Sequence, residues 1–185
     1  KEIAADPGGP TNLLIEGDNY HALFALNFTH RRKIDVIYID PPYNTGAKDW
    51  KYNNDYVDSN DRYRHSKWLS MMNKRLRLAK NLLKEDGVIC VTIDDYEIAR
   101  LSLLLEEIFG EFNHLGTIVI RNNPAGRSTV RGFAVAHEYA LFFARSERAV
   151  ISRLQRTPGT PAASARRAPR RPSARGTRPA RRGGG

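Results

Sequence analysis

Residues Ile34–Ile39 (Ile-Asp-Val-Ile-Tyr-Ile) form a short, β-branched apolar run that ends directly in Asp40-Pro41-Pro42. Proline has no N–H to give a sheet ladder and fixes its own φ, so a strand must stop here. An acid, two rigid residues and an aromatic, Tyr43, are left at its carboxyl end. The residues beyond this turn restrict the fold further. After a polar stretch over 44–61, Trp68, Met72, Leu76, Ala79 and Leu83 recur at helical spacing, and the helix is expected to end near 84–87. Residues Gly87–Ile93 then read as a buried strand, and Ile98, Leu101, Leu105 and Ile108 as an amphipathic helix stopping at Gly110. Two more strands are predicted over Gly116–Arg121 and Tyr139–Ala144. A further one, Asn12–Glu16, precedes Gly17-Asp18-Asn19 and a helix through Leu26 that Asp18 or Asn19 can cap. This alternation predicts an α/β fold, a mostly parallel sheet with helices on both faces. Ligands of such sheets gather beyond the carboxyl ends of the strands, which puts Asp18 and Asp40 on one rim.

Charge divides the chain. The formal net charge is +10, but residues 152–185 carry ten Arg and no Lys, Asp or Glu, leaving 20 basic against 20 acidic residues before them. The body is neutral, so electrostatic attraction to nucleic acid is no property of the body as a whole. The expected organisation is an N-terminal extension over 1–11, a folded part over 12–150 and a tail over 151–185. The tail is almost wholly Arg, Pro, Ala, Gly, Ser and Thr, has no aromatic residue and is expected to be disordered. Two readings of it compete: a basic arm that holds phosphates through salt-dependent contacts, or a segment translated from a shifted frame of GC-rich DNA.

The rest of the composition removes whole classes of protein. No apolar stretch approaches the length of a bilayer span, and Lys1–Pro10 is polar and turn-forming rather than signal-like. The single cysteine, Cys90, excludes an internal disulfide framework and a cysteine-based zinc cluster; mid-strand, it is expected to be a small core residue. A reducing, cytoplasmic setting is the resulting expectation. Beginning at Lys rather than Met, the chain reads as a fragment or processed product.

Asp40-Pro41-Pro42-Tyr43 suits methylation of an exocyclic amino group. Such an amine is a poor nucleophile because its lone pair is delocalised into the base. A carboxylate (Asp40) and a carbonyl (Pro41) that accept its two hydrogens would localise the pair, the prolines would fix the carbonyl's direction, and Tyr43 offers a face for a base taken out of the duplex.

Taken in order, Leu14–Asn19, Ile37–Gly46, Leu82–Ile89, Ile93–Asp95 and His137–Leu141 resemble the motifs of beta-order DNA amino-methyltransferases, and most closely the modification subunit of type III restriction-modification systems. The resemblance covers about 12–147. It implies a partial Rossmann-like, S-adenosylmethionine-dependent methyltransferase fold in which 12–150 is the catalytic half. The implied reaction is direct methyl transfer to adenine N6 of double-stranded DNA, with cytosine N4 as the alternative. Asp40, Pro41, Pro42 and Tyr43 match the catalytic motif, Asp40 and Pro41 also touching the donor. Asp18, with Asn19, matches the position that holds the donor's adenosine part, although a plain helix cap explains Asp18 equally. Asn44, Thr45 and Gly46 would shape the pocket edge beside Tyr43. The polar loop carrying Asn123, Arg127 and Arg131 either lines the target base and phosphates or is a solvated connection. His137 and Glu138 match the start of a late strand, and a metal role is disfavoured because no third ligand accompanies them. Lys74, Arg75, Arg77, Lys80 and Lys84 read as a solvated helix face. A full-length relative would pair with itself and with a helicase-nuclease restriction subunit.

The resemblance stops short of a complete enzyme. The sequence contains neither Phe-x-Gly-x-Gly nor Gly-x-Gly-x-x-Gly, so the strands around a Gly-rich cofactor loop are expected to be missing, as is a target-recognition region. The chain alone is therefore expected to be inactive, and a non-catalytic basic nucleic-acid-binding remnant is the competing reading.

Overall fold

The computed structural model of this chain describes residues 12–45, 63–122 and 133–152. Contacts divide the chain into two compact units, Lys1–Ile151 and Ser152–Gly185; apart from Ser152, the second lies outside the described residues. The elements of the first are α1 (Asn19–Thr29), β1 (Ile34–Ile39), α2 (Arg64–Leu82), β2 (Leu83–Ile93), α3 (Ile98–Phe109), a 3₁₀ turn (Glu111–Asn113), β3 (His114–Arg121) and β4 (His137–Ala144).

The helical spacing finds its physical cause in one buried stripe. Trp68, Leu76 and Ala79 of α2 are fully buried and Met72 nearly so. They pack with Leu101, Leu105 and Ile108 of α3 and with Ile89, Val91, Ile93, Leu141 and Phe143 of the sheet. The strand residues alternate, so they come from one face only. The core residues of α2 and α3 cover that one face, and α1 packs on α2, where helices on both faces were expected.

The sheet order is β1-β2-β4-β3. Only β1 and β2 are parallel; β4 runs antiparallel to both β2 and β3. A mixed sheet thus replaces the mostly parallel one. The long crossover through α2 makes the first pair parallel, whereas β4 inserts between β2 and β3 and reverses direction, a placement that hydrophobic runs alone do not specify. Asn12–Glu16 forms no strand, and its residues are exposed. An apolar run becomes a strand only beside a partner, and β1 ends the order with no further described neighbour. α2 also stops earlier than expected, and Leu83–Asp86 belong to β2.

Candidate active site

Antiparallel insertion of β4 gathers one rim. The carboxyl ends of β1, β2 and β3 and the amino end of β4 lie on the same side of the sheet. Asp40, Asp94–Asp95, Asn122 and His137–Glu138 therefore meet there, as expected for Asp40. Among the described residues, a cavity of about 490 Å³ opens against β1 and is lined by Asp40, Pro41 and Pro42 with Asn19, Tyr38 and Arg75. That volume lies within the range of about 300–1,000 Å³ typical of small-molecule sites.

Asp40 is exposed, and its Oδ1 accepts a hydrogen bond from Thr92 Oγ1 at 2.7 Å. The Pro42 carbonyl accepts from Trp68 Nε1 at 2.7 Å. Pro41 is buried with its carbonyl between these anchored neighbours. Tyr43 is half-buried, packs on the core cluster and donates its hydroxyl to Glu138 Oε2 at 3.3 Å. Burial above all, then the Asp40 carboxylate beside it, pushes the Tyr43 phenol well above its ordinary value, so its hydroxyl stays protonated as a donor.

Asn44 departs from expectation. It adopts the left-handed region (φ 56°) and is buried, and its Nδ2 donates to Glu97 Oε1 at 2.5 Å instead of lining the cavity edge. Thr45 is half-buried, while Gly46, Asn123, Arg127 and Arg131 lie outside the described residues. Asp18 caps α1 by accepting from the Tyr20 backbone N–H at 2.8 Å, so the cap reading describes its geometry. Its other oxygen lies 3.5 Å from Arg75 Nη2, and Asn19 Oδ1 accepts from Arg75 Nε at 2.5 Å. Arg75 is therefore part of the cavity wall and not of a solvated face. Lys80 departs from that face as well: it donates to the Ile108 carbonyl, and burial lowers its affinity for a proton.

Cys90 is buried in mid-strand, and burial pushes its thiol up. β4 begins at His137, whose Nε2 lies 2.9 Å from the Tyr139 hydroxyl; that hydroxyl donates to Asp95 Oδ1 at 2.8 Å. The described residues hold no cluster of three or more His, Cys, Asp or Glu suited to a metal ion. No helix among them is long and apolar enough to cross a membrane. Thr92, Trp68, Glu97 and His65 escaped the sequence reading as holders of the turn. The available signals were a hydroxyl in an otherwise apolar strand, an indole N–H within a core stripe and an acid opening an amphipathic helix.

The acid–proline turn thus stands at an open sheet rim beside a ligand-sized cavity, where ligands of such sheets gather. The family of DNA methylases (N6_N4_Mtase) matches residues 34–179, and the chain belongs to it. It is 42% identical over 137 residues to the type II methyltransferase M.KpnI of Klebsiella pneumoniae, across 74% of this chain and 33% of that protein. It is 35% identical to the type III restriction-modification enzyme EcoP15I Mod subunit of Escherichia coli, across 76% of this chain and 25% of that one. The chain thus spans a third or less of either relative. Among solved structures, the M1.HpyAVI–SAM complex aligns with 80% of this chain and 60% of its own at a TM-score of 0.48 and 18% identity.

Proposed function

We propose that the chain carries the catalytic half of a DNA adenine N6-methyltransferase of a restriction-modification system. The observation that carries the reading is Asp40 at the sheet rim, with one carboxylate oxygen held by Thr92, the Pro42 carbonyl held by Trp68, and a ligand-sized cavity alongside. The Asp40 carboxylate and the Pro41 carbonyl accept the two amine hydrogens of the target base, concentrating its lone pair on nitrogen. Because the turn is fixed before the base arrives, little reorganisation is needed as the reaction begins. Tyr43, oriented by Glu138, offers its ring to the base.

S-adenosylmethionine fits the cavity beside Asp40, both by volume and by the mixture of an apolar wall (Tyr38) with polar groups (Asn19, Arg75). When bound, it supplies a methyl group on a sulfonium centre. Asn19, Asp40 and Pro41 line the space it would take, and Asp18 reaches it by way of Arg75. Double-stranded DNA is the partner this chemistry requires; a second copy and a helicase-nuclease subunit are inferred from likeness to the type III subunits.

Donor affinity and transfer of labelled methyl to mixed-sequence duplex DNA test the reading, with Asp40→Ala as the comparison. Donor binding that falls at least about tenfold in Asp40→Ala supports it. Transfer to adenine would support it too and would overturn the expected inactivity of the chain alone. Transfer to cytosine would reassign the base to N4. Nucleic-acid binding that depends only on the arginine-rich tail, with no donor binding, would sink the enzymatic account.

A further inference from the structure

Glu97 is the one fully buried acid among the described residues. It stands between β2 and α3, where a carboxylate ordinarily caps the helix, yet its side chain makes no capping bond. Its Oε1 instead accepts from two sides: Asn44 Nδ2 at 2.5 Å and His65 Nδ1 at 2.5 Å. Arg64 Nε donates to His65 Nε2 at 3.2 Å, so this network assigns the hydrogen to Nδ1. Its Oε2 accepts no hydrogen bond among the described residues and lies 3.6 Å from Arg100 Nη1.

Burying a carboxylate is costly, and a well-packed apolar residue commonly supports a fold as well or better. What an apolar residue cannot do is hold Asn44 in a left-handed conformation directly after Asp40–Tyr43. We infer that Glu97 is a positioning residue for the methyl-transfer turn. It ties the turn's far end to the opening turn of α2 (His65) and the start of α3, while Thr92 and Trp68 hold the near end and the middle. This inference rests on the reading of Asp40–Tyr43 as the reacting turn.

The test uses the full chain with Glu97→Ala, Glu97→Gln, Asn44→Ala and the Glu97→Ala/Asn44→Ala double variant. The readouts are the Trp68 indole N–H and Asn44 side-chain amide resonances, together with S-adenosylmethionine affinity by calorimetry. Glu97→Ala is expected to move both resonances and weaken donor binding about tenfold, as sub-ångström misplacement of a reacting group does. Glu97→Gln keeps an oxygen for both donors and should restore most of the loss. Asn44→Ala should reproduce the shift of the indole signal, and the double variant should be no worse than Glu97→Ala alone. Whether or not Glu97→Ala folds, Asn44→Ala and Glu97→Gln decide: an unmoved indole signal with unchanged affinity in Asn44→Ala, or a Gln variant that itself loses about tenfold in affinity, overturns the inference. A wild-type chain that binds no donor while its indole signal still responds would uphold the positioning role and sink the methyltransferase reading instead.

Discussion

β1 and β2 are adjacent parallel strands of similar composition, but they live in different surroundings. On β2, Ile89, Val91 and Ile93 are fully buried, and so are Leu141 and Phe143 on β4. On β1 the neighbours of Ile89 and Val91, Ile37 and Ile39, are only half-buried, and on the sheet's other face Val36 and Tyr38 are 64% and 66% exposed; α1, which leads into β1, buries none of its residues, and its Phe28 is 77% exposed. The slab of α2, β2, α3 and β4 therefore holds the fully buried core, and β1 joins it through the half-buried Ile34, Ile37 and Ile39. The proposed reacting turn sits at this seam. Asp40 leaves from the exposed strand, but Thr92, Trp68 and Glu97, which fix the turn around it, all belong to the buried slab. A turn anchored in this way can stay open to a ligand and still be rigid, because the groups that hold it do not have to be accessible.

The largest expected effect falls where slab and turn share one residue. Trp68 is fully buried and also donates to the Pro42 carbonyl. Trp68→Ala should lower unfolding free energy by about 3–5 kcal/mol, read from urea denaturation. The same truncation on the flank, Phe28→Ala, should stay within about 0.5 kcal/mol. Comparable losses at the two positions would show that the flank is packed as tightly as the slab and would break the contrast.

The seam itself can be probed at Gly87. A Cβ there would lie 3.0 Å from the Lys84 carbonyl oxygen and 3.1 Å from that of Ile34, both backbone atoms at the irregular start of the β1–β2 pairing. Overpacking of this kind costs about 1–3 kcal/mol, so Gly87→Ala should be destabilised by that much in the same experiment. Amide hydrogen exchange should locate the damage, speeding up in β1 while β4 keeps its protection. Equal acceleration in both strands would mean that flank and slab open as one unit.

The slab was legible in the sequence and the seam was not, for a physical reason. Trp68, Met72, Leu76 and Ala79 announce a buried helix face by spacing alone, and Asp40-Pro41-Pro42 announces where a strand must stop, because both signals are local. The fate of Asn12–Glu16 depended on whether a partner strand lay beside it, and the order β1-β2-β4-β3 depended on which strand slipped between two others; neither is written in a run of residues. The family resemblance implies a place for Asn44 at the pocket edge. Only the buried carboxyl of Glu97, 53 residues further along the chain, turns it inward. The basic neighbours of Arg75 point to a solvated face, whereas its partners Asp18 and Asn19 are more than fifty positions away.

The finest test of the contrast makes one substitution twice. Val→Thr keeps shape and β-branching and adds a hydroxyl, so its effect reports how completely a position is removed from water. At Val91, fully buried in β2, the change should cost about 1–3 kcal/mol, because the new hydroxyl loses water without a partner waiting for it. At Val36, across the seam on the strand that ends the sheet, water still reaches the side chain, and the cost should be no more than about 0.5 kcal/mol. The difference between the two variants cancels the propensity terms they share. A Val36→Thr penalty close to that of Val91→Thr would mean that in solution something covers β1, and the flank would then have to be regarded as an interior surface whose covering contributes to holding Asp40 in place.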